Sequence, residues 1–437
     1  MLKVGYARLD VTPPLGSPLA GYYHHRISDG VLDPIELVAL AAHDGENTVL
    51  IITGDFLGIV EEWATEIRRM ISEGTGVKAD HIYLQALHQH TTIRVGDRTR
   101  RYDRTDVGKL NDAAYYDVLY RKYVDVAKMA MDDMCEAEMS VAQQKTAEDI
   151  SFVRRYRMKD GSVRTNPGRK NVDLVDCAMG EADNTVRLVR FKREGAKDIA
   201  LVNFSTHPDV ISGTKFSADW PGFVRRMTEA DLPNVHCILV NGAQGDTNHV
   251  NLLAPSRGLE RYESSARMGR IITDTVIDIW DKTEKREASK VSGQIQVKYI
   301  PTNISRIDEI ERCQQLKKEY QEGTFIPESM AERADIFRAA ALYEQTLFQK
   351  VLVSAIHIGE VSFIGFGGEP FTQYAADARA AAPNRFVIAT CNTNGNAGYL
   401  PTKEAFEEGG YEGKGTTFTV GLVDVLQQAI KELLADK

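Results

Sequence analysis

Long apolar runs, paired cysteines and an excess of basic residues are all missing from this chain. No run approaches the roughly 18 residues that a bilayer-spanning helix needs, so integral membrane association is not expected. The cysteines Cys135, Cys177, Cys237, Cys313 and Cys391 are scattered without Cys-x-x-Cys spacing. That pattern indicates neither a disulfide framework nor a thiolate metal cage, and reduced thiols are expected. The formal charge is −9 and the pI is near 5.7. Nucleic acids and anionic membranes attract clustered Lys and Arg, so neither is an expected partner. The first residues, Met1-Leu2-Lys3-Val4-Gly5-Tyr6-Ala7, lack a basic region followed by a long apolar core, which makes a cytoplasmic location the default. Internal repeats, low-complexity tracts and linkers rich in Pro and Ser are absent as well.

What is present is 437 residues with 43% hydrophobic composition, ample for a sizeable core. Short runs rich in Val, Ile and Phe alternate with helical patterns, which predicts an α/β fold with a mixed β-sheet flanked by helices. Strands are expected at Val49–Ile52, Ile82–Leu87, Ala200–Phe204, Cys237–Val240, Val351–Ile358, Val361–Phe366 and Phe386–Ala389. Gly359-Glu360 reads as a two-residue hairpin turn. Helices are expected at Glu61–Ser72, Ala113–Met134, Trp220–Ala230 and Ser264–Asp281. The clearest is the last, where Leu422, Val425, Leu426, Ala429, Ile430, Leu433 and Leu434 mark one buried face. A polar helical excursion at about 305–350, broken near Gly323 to Pro327, reads as a solvated helical hairpin, with a lid or a contact in a homo-oligomer as alternatives. One catalytic domain over residues 1–437 is the simplest account.

Ligand-type side chains recur where apolar runs end. His88-Gln89-His90 follows Ile82–Leu87, His207-Pro208 follows Ala200–Phe204, and Glu369-Pro370 follows Val361–Phe366. On an extended strand end, His88 and His90 would point to the same side. Imidazole nitrogens and a carboxylate suit zinc, and a catalytic site keeps one position open for water. A metal-dependent hydrolase with its metal site at strand ends is the reading from residues alone. The loop Asn241–His249 could supply hydrogen bonds to an oxyanion, and Tyr399 could reach a metal or a developing charge. The stretch Arg94 to Arg104 holds Arg94, Arg98, Arg100, Arg101 and Arg104, interleaved with Asp97 and Asp103; it reads as a solvated mixed-charge loop or as a grip on an anionic group.

Together these blocks resemble the catalytic domain of the neutral ceramidases. The likeness is carried by Asp10-Val11-Thr12-Pro13-Pro14-Leu15-Gly16 with Ala20-Gly21-Tyr22, Asp33-Pro34, Gly54-Asp55, the His-x-His block, and Thr165-Asn166-Pro167-Gly168. It continues through His207-Pro208, Ser217-Ala218-Asp219-Trp220-Pro221-Gly222, Gly245-Asp246, Gly368-Glu369-Pro370-Phe371-Thr372, Tyr399-Leu400-Pro401-Thr402 and Gly410-Tyr411-Glu412-Gly413. The resemblance implies one Zn2+ held by His88, His207, Glu369 and Tyr399, with His90 facing the water or the substrate carbonyl. It also shows departures. The ceramidase pattern Gly-Asp-x-Ser-Pro-Asn is Gly245-Asp246-Thr247-Asn248-His249-Val250 here, so Asn248 stands where a serine nucleophile has been proposed. The C-terminal immunoglobulin-like domain of true ceramidases is not expected either.

The resulting expectation is a zinc-dependent amidase acting through activated water on a small N-acylated molecule, smaller or more polar than ceramide. His90, Asn248 and Asp246 are the candidate catalytic residues; Arg154, Arg94 and His249 are candidates for substrate binding. Two rivals stand beside it. Two histidines and a carboxylate also make the facial triad of non-haem iron oxygenases, and a homologue that has lost catalysis would merely bind a ligand.

Overall fold

Twelve principal strands form two sheets in the computed structural model, which describes residues 1–96, 113–342 and 347–435. Arg98, Arg100, Arg101 and Arg104, with Asp97 and Asp103, lie outside the described residues. The large sheet contains β1 (Lys3–Asp10), β2 (Glu36–His43), β3 (Thr48–Gly54), β4 (Ile82–Ala86), β5 (Cys135–Lys145), β6 (Thr185–Arg193), β7 (Asp198–Phe204) and β8 (Val235–Asn241). Their order is β8-β7-β6-β5-β1-β2-β3-β4, with Glu284–Lys285 added beside β5. Neighbours run antiparallel except β3–β4 and β7–β8, so the sheet is mixed. The second sheet is β9 (Val291–Pro301), β10 (Phe348–Ile358), β11 (Val361–Phe366) and β12 (Phe386–Thr390), parallel only between β11 and β12. Ile358 pairs with Val361, so Gly359-Glu360 is a two-residue turn, and Gly359 takes the positive φ of +52°.

Side-chain alternation assigns the layers. Leu37, Ala39, Ala41, Leu50 and Ile52 share a core with Ala64, Ile67 and Ile71 of α1 (Glu61–Thr75) and with α2 (Ala113–Asp132). Their neighbours Val38, Leu40, Ala42, Val49 and Ile51 face the other way, against Ile356, Ile358, Phe363 and Ile388 of the second sheet. At the far end of the large sheet, Leu188, Val202 and Leu239 pack on Trp220 and Val224 of α3 (Asp219–Asp231) and on Ile272 and Val276 of α4 (Arg261–Ile279). The polar excursion is the pair α5 (Ile310–Gln321) and α6 (Met330–Ala340), which share a small core of Cys313, Leu316, Ile336 and Ala339. The outer face of the second sheet is covered by α7 (Thr372–Ala381) and α8 (Leu422–Leu434). Helices, sheet, sheet and helices make four layers, so the flanked mixed sheet expected from the sequence is joined by a second sheet that it did not separate out.

The large sheet also curls until its edges meet. Asn241 Nδ2 at the end of β8 donates to Leu87 O beyond β4 at 3.0 Å, and Gln85 Nε2 donates to Asn241 O at 2.6 Å. That closure brings the carboxyl ends of β4 and β7 to one place, where loops after parallel strands commonly build ligand sites.

Candidate metal centre

His88 sits two residues beyond β4, and the backbone there is not extended. Its φ is +81°, a left-handed conformation that is costly for a residue with a Cβ. The strand-like His-x-His geometry expected from sequence is therefore replaced by a turn. The segment after β3 holds that turn residue by residue. Leu87 N donates to Gly54 O at 3.0 Å, His88 N to Phe56 O at 2.8 Å, and His88 Nδ1 to Leu57 O at 2.7 Å. Gln89 Nε2 donates to Asp55 Oδ1 at 2.8 Å, and Asp55 is itself gripped by both Nη atoms of Arg225 at 2.9 and 2.6 Å.

A carbonyl only accepts, so the bond to Leu57 O puts the His88 proton on Nδ1 and leaves Nε2 with a lone pair. His207, two residues past the Ser205 that follows β7, has the same arrangement, with Nδ1 donating to Gln244 O at 3.1 Å. Both Nε2 atoms aim at one carboxylate oxygen. Glu369 Oε2 is 3.3 Å from His88 Nε2 and 3.5 Å from His207 Nε2, is buried, and accepts no hydrogen bond. His90 completes the group, both of its ring nitrogens buried and unpartnered. One donor atom from each of His88, His90 and His207 lies within 4.8 Å of the others. The rings of His88 and His207 meet at 86°, with centroids 4.9 Å apart. The Glu369 Oε2 and the His90 ring nitrogens, buried without donors, are expensive, and a cation among them would offset that cost.

The backbone brings Tyr399 alongside. Glu369-Pro370 and Tyr399-Leu400 form a short parallel pair in which Glu369 is the register partner of Tyr399. Burial and the Glu369 charge push the Tyr399 phenol up, while Arg154 opposes them. Arg154 stands 5.2 Å over the Tyr399 ring, with Nη1 3.4 Å from His207 Nε2. Its other nitrogens are committed, Nε to Glu412 Oε1 and Nη2 to Gly245 O, each at 2.8 Å. Burial works to raise the Glu369 carboxyl, and the Arg154 charge works to lower it. Burial holds both His90 and His207 well below the usual imidazole value, with neighbouring charge adding to it, so their neutral forms are favoured.

Of the residues proposed from sequence, His88, His90, His207, Glu369 and Tyr399 converge, Arg154 abuts them, and Arg94 lines the same cleft. Three do not converge with them. The Asp246 carboxylate accepts from Thr372 N and Oγ1 at 2.9 and 2.6 Å, at the start of α7. Asn248 donates from Nδ2 to Asn166 Oδ1 at 2.7 Å and accepts from Val250 N at 2.9 Å. His249 lines a separate cavity bordered by Arg257, Arg261 and Arg267. Sequence reasoning missed Asn392, whose Nδ2 is 3.0 Å from His88 Nδ1, and Asp209, which binds the Tyr22 hydroxyl and lies 3.8 Å from His90 Nδ1. Asp209 was visible beside His207-Pro208; Asn392 carried no signal beyond its place after a strand. Gly21 passes so close that a Cβ would lie 2.6 Å from His90 Nδ1, which accounts for glycine at that φ of +99°.

Neither a family profile nor any curated protein matches the sequence. Solved structures do. A neutral ceramidase from Pseudomonas aeruginosa superposes with a TM-score of 0.73 at 14% identity, over 99% of this chain and 74% of that one. A ceramidase complexed with C2 gives 0.71 at 12% identity with the same coverage. Across all four of its layers the chain therefore has a neutral ceramidase-like fold.

Proposed function

We propose that this protein is a zinc-dependent hydrolase that cleaves the amide bond of an N-acyl compound smaller or more polar than ceramide. The observation that carries the reading is the pair of imidazoles anchored through Nδ1, with both Nε2 atoms turned to the unpartnered Glu369 Oε2. Anchoring one ring nitrogen on a backbone carbonyl fixes the tautomer of a metal-binding histidine. His88, His207 and Glu369 would hold the ion, with Tyr399 as fourth ligand. Zinc bound there supplies a Lewis acid that activates water near neutral pH and polarises a carbonyl.

The chain's own groups account for the rest. His90, neutral and unpartnered, accepts a proton from the attacking water and returns it to the leaving nitrogen. Arg154, pinned by Glu412 and Gly245, keeps positive charge beside Tyr399 and His207, where negative charge develops. Asp246 and Asn248 shape the 245–249 turn through Thr372, Asn166 and Val250, and Asn248 is assigned no nucleophilic role. A second ligand set, with His90 in place of Tyr399, is favoured by the convergence of the three histidines.

Elemental analysis of the dialysed protein beside its His207→Ala and Tyr399→Phe variants tests this. About one zinc per chain, lost in His207→Ala, supports the metal site. Retention in Tyr399→Phe would favour the three-histidine set. Iron with oxygen consumption would replace the hydrolase by a redox enzyme, and no metal at all would leave a ligand-binding protein.

A further inference from the structure

The cleft over the histidines is roofed by the excursion helices. Its wall includes Ala334, Phe337, Arg338 and Ala341, spaced i, i+3, i+4 and i+7, so one face of α6 continued by a turn looks into the site. Aromatic rings link this wall to the ligand candidates. Phe337 meets Tyr23 edge-on at 5.1 Å, the Tyr23 and Tyr411 hydroxyls are 3.2 Å apart, and the Tyr411 ring is 5.4 Å from that of Tyr399. The wall is fastened to the body of the molecule. Arg338 donates to Asn303 O at 2.9 Å, Ser305 Oγ at 2.7 Å and Lys414 O at 3.0 Å, and Arg333 lies 4.2 Å over Tyr23.

The space left beneath is small, a cavity of about 120 Å³. Drug-sized ligands occupy pockets of about 300–1,000 Å³. The cleft over the histidines is smaller than that range.

Resting on the amidase reading, we propose that α6 acts as a length stop, with Phe337 and Tyr23 limiting the substrate to a short acyl group. The acyl end is assigned to this side because Tyr23, Phe337, Ala334 and Ala341 supply the apolar part of a wall that Arg94, Lys317 and Arg338 complete with charge. The carbonyl then lies toward the histidines and the amine leaves toward the open end of the cleft.

The test uses zinc-loaded protein and acetyl, butanoyl, hexanoyl and octanoyl amides of one aromatic amine. Wild-type kcat/KM should fall about tenfold or more once the chain outgrows the cleft. Phe337→Ala should recover about tenfold of that loss on the hexanoyl amide, while Ala341→Leu, which fills the cleft, should move the break to a shorter chain. Calorimetric titration with acetate, butanoate and hexanoate gives a readout free of turnover, and the affinity order should shift in the same directions. Equal zinc content in all three proteins guards against misfolding. Octanoyl turnover as fast as acetyl in wild type, or one length profile shared by all three proteins, overturns the length stop and leaves the amidase reading standing. Zinc-loaded wild type that hydrolyses none of the amides overturns both.

Discussion

The tightest constraint in the structure acts on single residues. His88 holds a left-handed backbone only because Gly54, Asp55, Phe56 and Leu57 each accept a hydrogen bond from Leu87, His88 or Gln89. The Gln89 amide contributes one of these tethers, to Asp55 Oδ1, and donates a further bond to Ala218 O at 3.2 Å. Gln89→Ala should thus keep the fold and weaken zinc affinity by about 10- to 100-fold, the usual effect of losing a group that orients a ligand. Competition titration with a chelating dye would measure it, and unchanged affinity would remove Gln89 from that role. His249 offers a second handle. Burial lowers it to about 4, with Asp209 opposing and Arg261 reinforcing the shift. The unfolded chain would take up this proton near pH 6.5 and the folded chain only near 4, so between those values the unfolded state binds more protons. Stability then rises with pH across that window and is lost on acidification by up to about 1.4 kcal/mol per unit. His249→Gln should flatten the urea-midpoint curve between pH 6.5 and 4 relative to wild type; parallel curves would refute it. At this scale the sequence was informative about residue types and silent about conformation. Ligand chemistry can be read from His, Glu and Tyr after apolar runs, whereas the positive φ of His88 depends on tethers 31 or more residues away.

Among the elements, those with strong periodicity were legible and those with mixed burial were not. Helix α8 matches its expected face because Leu426, Ala429, Ile430 and Leu433 are all buried at helical spacing. Runs such as Val361–Phe366 are buried on both faces and read as continuous apolar segments. Strand β2, Glu-Leu-Val-Ala-Leu-Ala-Ala-His, was missed because its alanines suit a helix equally well and only tertiary packing decides. Strand β5 was missed for the opposite reason, since Cys135–Lys145 is largely polar and partly exposed. The excursion was recognised as helical, but its use as a wall of the cleft arises from docking through Arg338, which no local pattern encodes. Asp246 belongs to this scale as well. By accepting from Thr372 N it caps α7 from another loop, so Asp246→Ala should cost about 1 kcal/mol in denaturant unfolding. Zinc content should stay at the wild-type level; loss of metal in that variant would make Asp246 part of the centre itself.

Taken as a whole, the molecule places its centre on the seam where the two edges of the curled sheet meet. A ligand that binds only the folded state stabilises it by about 2.7 kcal/mol at a hundredfold excess over Kd. Added zinc should raise the Tm of the metal-free protein accordingly, and His207→Ala should show no such response; equal shifts in both would point to binding elsewhere. The four-layer arrangement was half legible, because alternating strands and helices announce an α/β fold, while the division into two sheets depends on pairings between distant strands. Glu36–His43, for example, joins Lys3–Asp10 on one side and Thr48–Gly54 on the other. Closing the seam has one more consequence. The converging side chains are numbered 88, 207, 369 and 399, so no amino-terminal fragment that stops before the second sheet owns a complete site. On the proposed zinc reading, residues up to Tyr399 must leave the ribosome before the ion can be captured. Metal binding, so read, would be a late event and a direct report that distant parts of the polypeptide have found each other.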